Sequence, residues 1–381
     1  MRKRVLFNFV PVSIGGGLQN TLSFLSTAKK SSKLNFDFVV ACRHHSKIES
    51  YCRDNEIPYV SVGNGLLHRL CFEVFGGAFL AKRLKVDLVF SLFGGSPYLM
   101  YGVAKKVCGF AYSNIIESDV DFWWFCSGKD KLVKRSIDFF RLRSFGNADF
   151  VIMETDRLAR LAKEGAFKDT QVSVVHMAPS SLIVHKDVDR IKEISEKDEF
   201  SILYLCGPHK NKRIKSLAAV FQCLHADGFL VSLITTLPEN CSVFMEVKDE
   251  FRRLGVEHAL KNIGPISPDS LNEVFDAVDG VVNVALLESF SNNWVEAWAA
   301  SLPLFSTDAG WAKDSCGDAA VYINVDKPED AANRIRGTYS SISEMEKIVG
   351  SGKEMLSFLP TPEEKFERYR MIIEKCLKET A

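Results

Sequence analysis

The sequence has no net charge, because 48 Lys and Arg residues balance 48 Asp and Glu over 381 positions. The chain as a whole therefore has no field of the kind that gathers nucleic acid. Ten cysteines are present without a single Cys-x-x-Cys pair, standing alone at 42, 52, 71, 108, 126, 206, 223, 241, 316 and 376, mainly in apolar stretches. That scatter argues against zinc and against a disulfide framework, and for reduced core thiols in a cytoplasmic protein. No apolar run approaches the roughly 20 residues of a membrane span. Met1-Arg2-Lys3-Arg4 leads only into a short apolar strand, not into a signal-peptide core. Also missing are a Walker phosphate loop, a Gly-x-Ser-x-Gly elbow and the Gly-x-Gly-x-x-Gly dinucleotide spacing. Serine-hydrolase and nicotinamide chemistry are disfavoured accordingly, and no cofactor is expected.

What is present is a chain of ordinary globular composition, 46% hydrophobic and 25% charged, long enough for two domains. It is organised around Glu288-Ser289-Phe290-Ser291-Asn292-Asn293-Trp294-Val295-Glu296. The preceding Val281 to Leu287 reads as a buried parallel strand, and Trp294 to Ala300 as a core helix with Ser291 as its N-cap. Glu296 is the polar exception on that helix. A carboxylate buried there needs donors, and unless the protein supplies them a ligand rich in hydroxyl groups would. The turn before the helix also offers unpaired backbone N–H groups to an anion. A phosphate carried on a sugar meets both demands.

Taken in order, Val5 to Val10 is a strand, Gly15-Gly16-Gly17 a turn and Leu18 the start of a helix. Strands at 36–42, 59–62, 88–92, 108–116, 149–153 and 171–176 alternate with helical stretches, which predicts a parallel α/β sheet. A charged run from Lys186 to Glu199 reads as a connection, and a second α/β series opens at Ser201. Its first strand ends in Gly207-Pro208-His209-Lys210-Asn211, where a lysine can set a point charge against phosphate. Between the two series, Phe122-Trp123-Trp124-Phe125 precedes a helix carrying Lys129, Lys131, Lys134, Arg135, Arg141 and Arg143 against Asp130 and Asp138. Aromatic and basic side chains together suit a membrane surface or an anionic lipid-linked acceptor, while aromatics packed into their own lobe are the plainer reading. Asp119-Val120-Asp121 and Asp187-Val188-Asp189 have the spacing of a cation pair but are short enough to arise by chance, and His44-His45 reads as a solvated pair.

Two glutamates eight positions apart across a strand-to-helix turn, then Ala-Trp-Ala-Ala-Ser-Leu-Pro, the strand Leu304 to Asp308 and Gly317-Asp318-Ala319-Ala320, resemble the donor-binding signature of the retaining glycosyltransferases of family 4. Ser301 stands where that pattern usually has glycine. The resemblance implies the GT-B fold: two facing Rossmann-like domains with a cleft between them and a C-terminal helix that crosses back to the first. The expected boundaries are an acceptor-side domain at 1–182, a linker at 183–199, a donor-side domain at 200–358 and the crossing helix at 359–381, whose face is Phe366, Tyr369, Ile373 and Cys376.

By the same resemblance, Gly16 and Gly17 lie beside the donor phosphates and the acceptor, and Lys210 with Asn211 contacts the diphosphate; since Cys206 and Gly207 stand where most members have an arginine, Lys210 would act alone or with Lys212 or Arg213. Ile266 belongs to the base-binding loop. Glu288 with Ser289, Phe290 and Ser291 holds sugar and phosphate, and Glu296 holds the ribose. Glu288 and Lys210 are the expected catalytic residues, with no metal. The implied activity is transfer of a sugar from a nucleotide-diphosphate donor to a saccharide or lipid-linked saccharide acceptor, with retention, in cell-surface polysaccharide or glycolipid synthesis. The protein would be cytoplasmic, with peripheral contact at the inner face of the membrane through residues 120–145. Family members often carry a histidine after the fifth strand, where this chain reads Tyr112-Ser113-Asn114. A nucleotide-sugar epimerase of the same fold and an inactive transferase-like partner subunit are the alternatives.

Overall fold

The computed structural model describes residues 2–13, 15–98, 102–117, 119–179, 190–267 and 270–379. The chain forms two compact units, Met1–Ala178 with Pro360–Ala381, and Pro179–Leu359. Among the described residues the first contains seven strands: β1 (Lys3–Asn8), β2 (Phe36–Arg43), β3 (Tyr59–Val62), β4 (Leu88–Ser91), β5 (Lys105–Phe110), β6 (Phe150–Met153) and β7 (Gln171–Val174). The second contains six: β8 (Glu199–Tyr204), β9 (Leu230–Thr235), β10 (Leu260–Asn262), β11 (Gly280–Asn283), β12 (Leu304–Thr307) and β13 (Val321–Ile323).

Both sheets are parallel throughout, and among the described residues every connection between consecutive strands carries a helix except the one from β4 to β5. The orders are β3-β2-β1-β4-β5-β6-β7 and β10-β9-β8-β11-β12-β13. Strand order therefore reverses between β1 and β4 in one sheet and between β8 and β11 in the other. In open α/β sheets ligands sit beyond the carboxyl ends of strands at such a reversal.

In the first unit Phe7 and Phe90 of the sheet, with Phe9 just beyond β1, meet Phe24 of the helix Gly15–Lys30. The C-terminal helix Pro362–Lys378 adds Phe366, Tyr369, Ile373 and Cys376 to this core, with Phe24 and Phe366 in edge contact at 5.1 Å. Its start is a capping box: the Thr361 hydroxyl accepts from Glu364 N–H, and the Glu364 carboxylate from Thr361 N–H.

Several predicted boundaries shift. Residues 183–189 of the expected linker, with Asp187 and Asp189, lie outside the described residues. The rest of it is no free connection, since Arg190–Ser195 is a helix of the second unit and β8 begins at Glu199. The cause is Arg190, whose guanidinium donates to the carbonyls of Asp276 (2.9 Å), Val278 (2.6 Å) and Phe275 (2.5 Å). Arg190→Ala leaves those carbonyls without this donor, so the variant should lose about 2–4 kcal/mol of stability, read from the midpoint of chemical unfolding. The stretch expected as a strand at 108–116 is β5 only to Phe110, followed by a single 3₁₀ turn at Ser113–Ile115. Gly15-Gly16-Gly17 is the first turn of its helix rather than a loop before it. No helix among the described residues is long and apolar enough to cross a membrane.

Candidate functional site

Asn283, fully buried at the end of β11, organises the second unit's site. Its Nδ2 donates to Glu288 Oε2 (2.8 Å) and Ser291 Oγ (2.6 Å), and its Oδ1 accepts from Ala285 N–H (3.1 Å) and the Tyr204 hydroxyl (3.3 Å). The chain therefore leaves the sheet after Asn283, four residues before the apolar run ends, and Val284 to Leu287 become a buried turn. Sequence reasoning passed over Asn283. The signal was there, a lone amide inside Val281-Val282-Asn283-Val284.

The helix behind the turn is Asn292–Ala299. Ser291 is its N-cap by position but makes no capping bond, because its hydroxyl is held by Asn283. The first-turn N–H groups are thus left without a side-chain cap on the side where Ser289, Phe290 and Glu288 are half-buried. Phe290 stacks edge-on against Trp294 (5.3 Å), Trp294 stacks on Trp311 (5.5 Å), and the Trp311 indole N–H donates to the Leu286 carbonyl (3.2 Å). Ser301 takes the left-handed turn after the helix at φ +54°, a conformation that glycine adopts more readily.

Glu296 is 4% exposed, and its Oε2 has no hydrogen-bond partner. Burial alone pushes its carboxyl up to about 7. The described residues do not provide the donor that a carboxylate in this position requires.

The two lysines of the turn after β8 meet different carboxylates. Lys210 Nζ pairs with Glu246 Oε1 (2.8 Å) in an exposed contact, whereas Lys212 Nζ meets Glu288 Oε1. Lys210–Lys212 is a 3₁₀ turn that ends with Arg213 in the left-handed region at φ +53°, which turns Lys212 toward Glu288 and leaves Lys210 on the surface. Burial works against the Lys212 ammonium, yet Glu288 outweighs it and holds Lys212 above its usual range. Asn211 is structural in its contacts: its Nδ2 donates to the Leu287 carbonyl (2.9 Å) and its own carbonyl accepts from Leu286 N–H (2.8 Å), tying the lysine turn to the Glu288 turn. Its Oδ1 is buried without a donor. The two turns follow β8 and β11, the strands that flank the reversal of order. Ile266 is half-buried in the stretch that follows β10, at the far end of the sheet.

Gly16 and Gly17 belong to the first unit, at the carboxyl end of β1. Asn20 Nδ2 donates to the Gly16 carbonyl (2.9 Å), the Thr21 hydroxyl donates to that of Gly17 (2.8 Å), and Lys365 donates to Asn20 Oδ1 (2.9 Å). A Cβ on Gly17 would meet Phe93 at an ordinary 3.7 Å, so the protein's own packing does not demand glycine there. A cavity of about 440 Å³ lies in the same unit between Asn114, Trp123, Asp138 and Phe139, with Asp121 and Arg135 at its wall. Asp138 accepts from Asn114 Nδ2 (2.8 Å) and the Trp123 indole N–H (2.7 Å). Asp121 pairs with Lys131 (2.5 Å).

Among the described residues, the one group of three side chains spaced to share a cation is His44, His45 and Glu49, with ligand atoms within 4.8 Å of one another. Glu49 is already engaged: it accepts from the Ser61 hydroxyl, from His45 N–H (2.6 Å) and at His44 Nδ1 (3.1 Å), and these contacts, Ser61 foremost, hold its carboxyl down at about 2. The group anchors the start of the helix Lys47–Asp54. The histidines are exposed, but they are not simply solvated as the sequence reading had them.

No family model matches the chain, and no curated protein sequence matches it. Solved structures do. Sucrose-phosphate synthase from Thermosynechococcus elongatus superposes with a TM-score of 0.72 at 14% identity, covering 99% of this chain and 100% of that one. A glycosyltransferase from Rickettsia africae ESF-5 gives 0.71 at 13% identity, with 99% of each chain covered. Anabaena HepE, solved with UDP and glucose, gives 0.70 at 16% identity over 98% of this chain and 100% of its own. Likeness along the whole length shows that the chain has the GT-B glycosyltransferase fold.

Proposed function

We infer that the protein transfers a sugar from a nucleotide-diphosphate donor to an acceptor hydroxyl, with retention at the anomeric carbon. The observation that carries this reading is the buried Glu296 carboxylate with an unpartnered oxygen, behind a turn whose N–H groups lack a side-chain cap, at the strand reversal of a GT-B sheet. Ribose hydroxyl groups supply the donors that Glu296 lacks. Glu288, with the backbone of Ser289 and Phe290 and the hydroxyl of Ser291, holds sugar and phosphate. Ile266 lies in the stretch assigned to the base. Gly16 and Gly17 present their helix start to the donor phosphates and the acceptor.

Charge builds on the leaving diphosphate as the glycosidic bond breaks, and a preorganised cation lowers that barrier. Lys212 is assigned this role in place of Lys210, since it already stands against Glu288. A phosphate drawn between them would take over the ammonium. The acceptor is a saccharide, free or lipid-linked, and the aromatic and carboxylate lining of the 440 Å³ cavity suits a polyhydroxylated ring. The setting proposed is the cytoplasmic side of the membrane, in surface polysaccharide or glycolipid synthesis.

Incubation with a panel of nucleotide sugars, uridine donors first because HepE was solved with UDP-glucose, is read by mass spectrometry. Released nucleoside diphosphate together with a glycosylated acceptor is the expected outcome. An isomerised donor would identify an epimerase instead, and an unchanged donor with every acceptor a non-catalytic subunit. Turnover should persist in excess chelator, because Lys212 and the helix N–H groups carry the charge. Activity abolished by chelation and restored by manganese or magnesium would overturn the metal-free assignment.

A further inference from the structure

Among the described residues sixteen large apolar side chains stand out as exposed, and ten of them fall between residues 67 and 140. Six belong to the aromatic and basic region, where lipid contact was already expected: Trp124, Leu132, Val133, Ile137, Phe139 and Phe140. The other four, Leu67 (75% exposed), Leu70 (46%), Phe75 (62%) and Phe79 (68%), lie on a stretch with no part in the donor site. That stretch runs as an α-helix over Leu66–Cys71, a π-helical turn over Phe72–Gly76 and an α-helix over Gly77–Arg83. The π turn matters for the pattern. Leu70 and Phe75 are five apart, well off a common face of an α-helix, but a turn closed by i→i+5 hydrogen bonds brings residues five apart over one another. Leu67 and Leu70 are three apart and Phe75 and Phe79 four apart, so all four share one stripe.

The stretch lies beside the helix Gly128–Gly146. The Tyr98 N–H donates to the Glu73 carbonyl (2.7 Å) and its hydroxyl to the carbonyl of Phe140. Arg69 faces Tyr112, and Arg141 of the basic helix covers the same Tyr112 ring at 4.4 Å. Charge singles out the same two segments. In a chain without net charge, residues 65–85 carry four Lys and Arg against one acid, and residues 128–146 carry six against two. Exposed apolar stripes with a basic surplus match an anionic bilayer, with apolar side chains among the acyl chains and ammonium groups at the headgroups.

We propose that residues 66–83 are a membrane-inserting element, which together with the helix Gly128–Gly146 docks the first unit on an anionic lipid surface. The proposal rests on the lipid-side reading above but not on the donor site. The full chain is sedimented with vesicles of phosphatidylcholine and phosphatidylglycerol at about 7:3, and with phosphatidylcholine alone. The parent should partition onto the anionic vesicles at least tenfold more strongly. Phe75→Glu/Phe79→Glu should abolish that binding while circular dichroism and UDP calorimetry stay as in the parent, and Lys82→Glu/Arg83→Glu should weaken it several-fold. Parent-like sedimentation of Phe75→Glu/Phe79→Glu overturns the inserting element. Equal binding to neutral vesicles, or a parent dimer that the double variant dissociates on a sizing column, overturns the anionic surface as its partner. Loss of UDP binding in the parent would instead count against the donor site, leaving the vesicle result to be judged by itself.

Discussion

Glu296→Gln should raise the melting temperature above pH 7 while weakening nucleotide binding, an opposition of signs that a structural carboxylate would not produce. Burial lifts the folded-state value from 4.5 to about 7. A group raised on folding contributes stability that is complete below its unfolded value and is lost as pH climbs through the folded one. The parent should thus lose stability between about pH 4.5 and 7, to a total of about 3 kcal/mol at 1.36 kcal/mol per unit. Glutamine carries no charge to bury, so the two melting curves should coincide near pH 4 and separate as pH rises, by several degrees at pH 8. In the nucleotide complex the order reverses. Charge-assisted hydrogen bonds contribute about 1.5–3 kcal/mol, so the variant should bind UDP roughly 10- to 150-fold more weakly at pH 8. Calorimetry in buffers of different ionisation heat should also show proton release when the parent binds nucleotide below pH 7. A glutamine variant less stable than the parent at every pH, with unchanged UDP affinity, would show that Glu296 has a structural partner.

Lys212→Ala should lower kcat by about 10²- to 10³-fold, the loss expected when one preorganised donor to a developing anion is removed. Lys210→Ala should fall within a few-fold of the parent, because its exposed pair with Glu246 is of a kind that contributes ~1 kcal/mol or less. Glu288→Gln should also lose kcat while UDP still binds. Steady-state kinetics beside calorimetry separates the three, since a lysine needed only for folding would lower melting temperature and leave turnover per folded molecule intact. A hundredfold loss in Lys210→Ala with a mild Lys212→Ala would restore the expectation drawn from the sequence.

The lysines show where sequence reading reaches its limit. Both stand in a short polar turn after a strand, and either spacing admits a phosphate contact. The choice follows from the left-handed Arg213 and from Asn211, whose bonds to Leu286 and Leu287 come from a turn 75 residues or more away in the chain. Asn283 poses the same problem. A single amide in an apolar strand is visible, but its four partners are gathered only when Tyr204, Glu288 and Ser291 converge on it. The Leu67 to Phe79 stripe was invisible for a different reason. At α-helical spacing its residues do not line up, and the π turn that aligns them is a local departure from that period.

Much else was written in the order of residues. Alternating short apolar runs and helical stretches determined two parallel sheets, because a parallel strand needs a crossover and buries both faces. The cap at Thr361 and the apolar face from Phe366 to Cys376 determined the last helix, since capping and a 3.6-residue stripe act within a few turns of chain. The apolar helix around Glu296 announced a carboxylate that burial would strand. Tertiary structure decided that no donor among the described residues reaches Glu296 Oε2, that Lys212 rather than Lys210 faces Glu288, and that Arg190 ties the helix Arg190–Ser195 to the second unit. The last two are contacts between residues far apart in the chain, the first is a want of one, and hydrogen bonds of about 3 Å depend on a backbone placement that local periodicity does not encode.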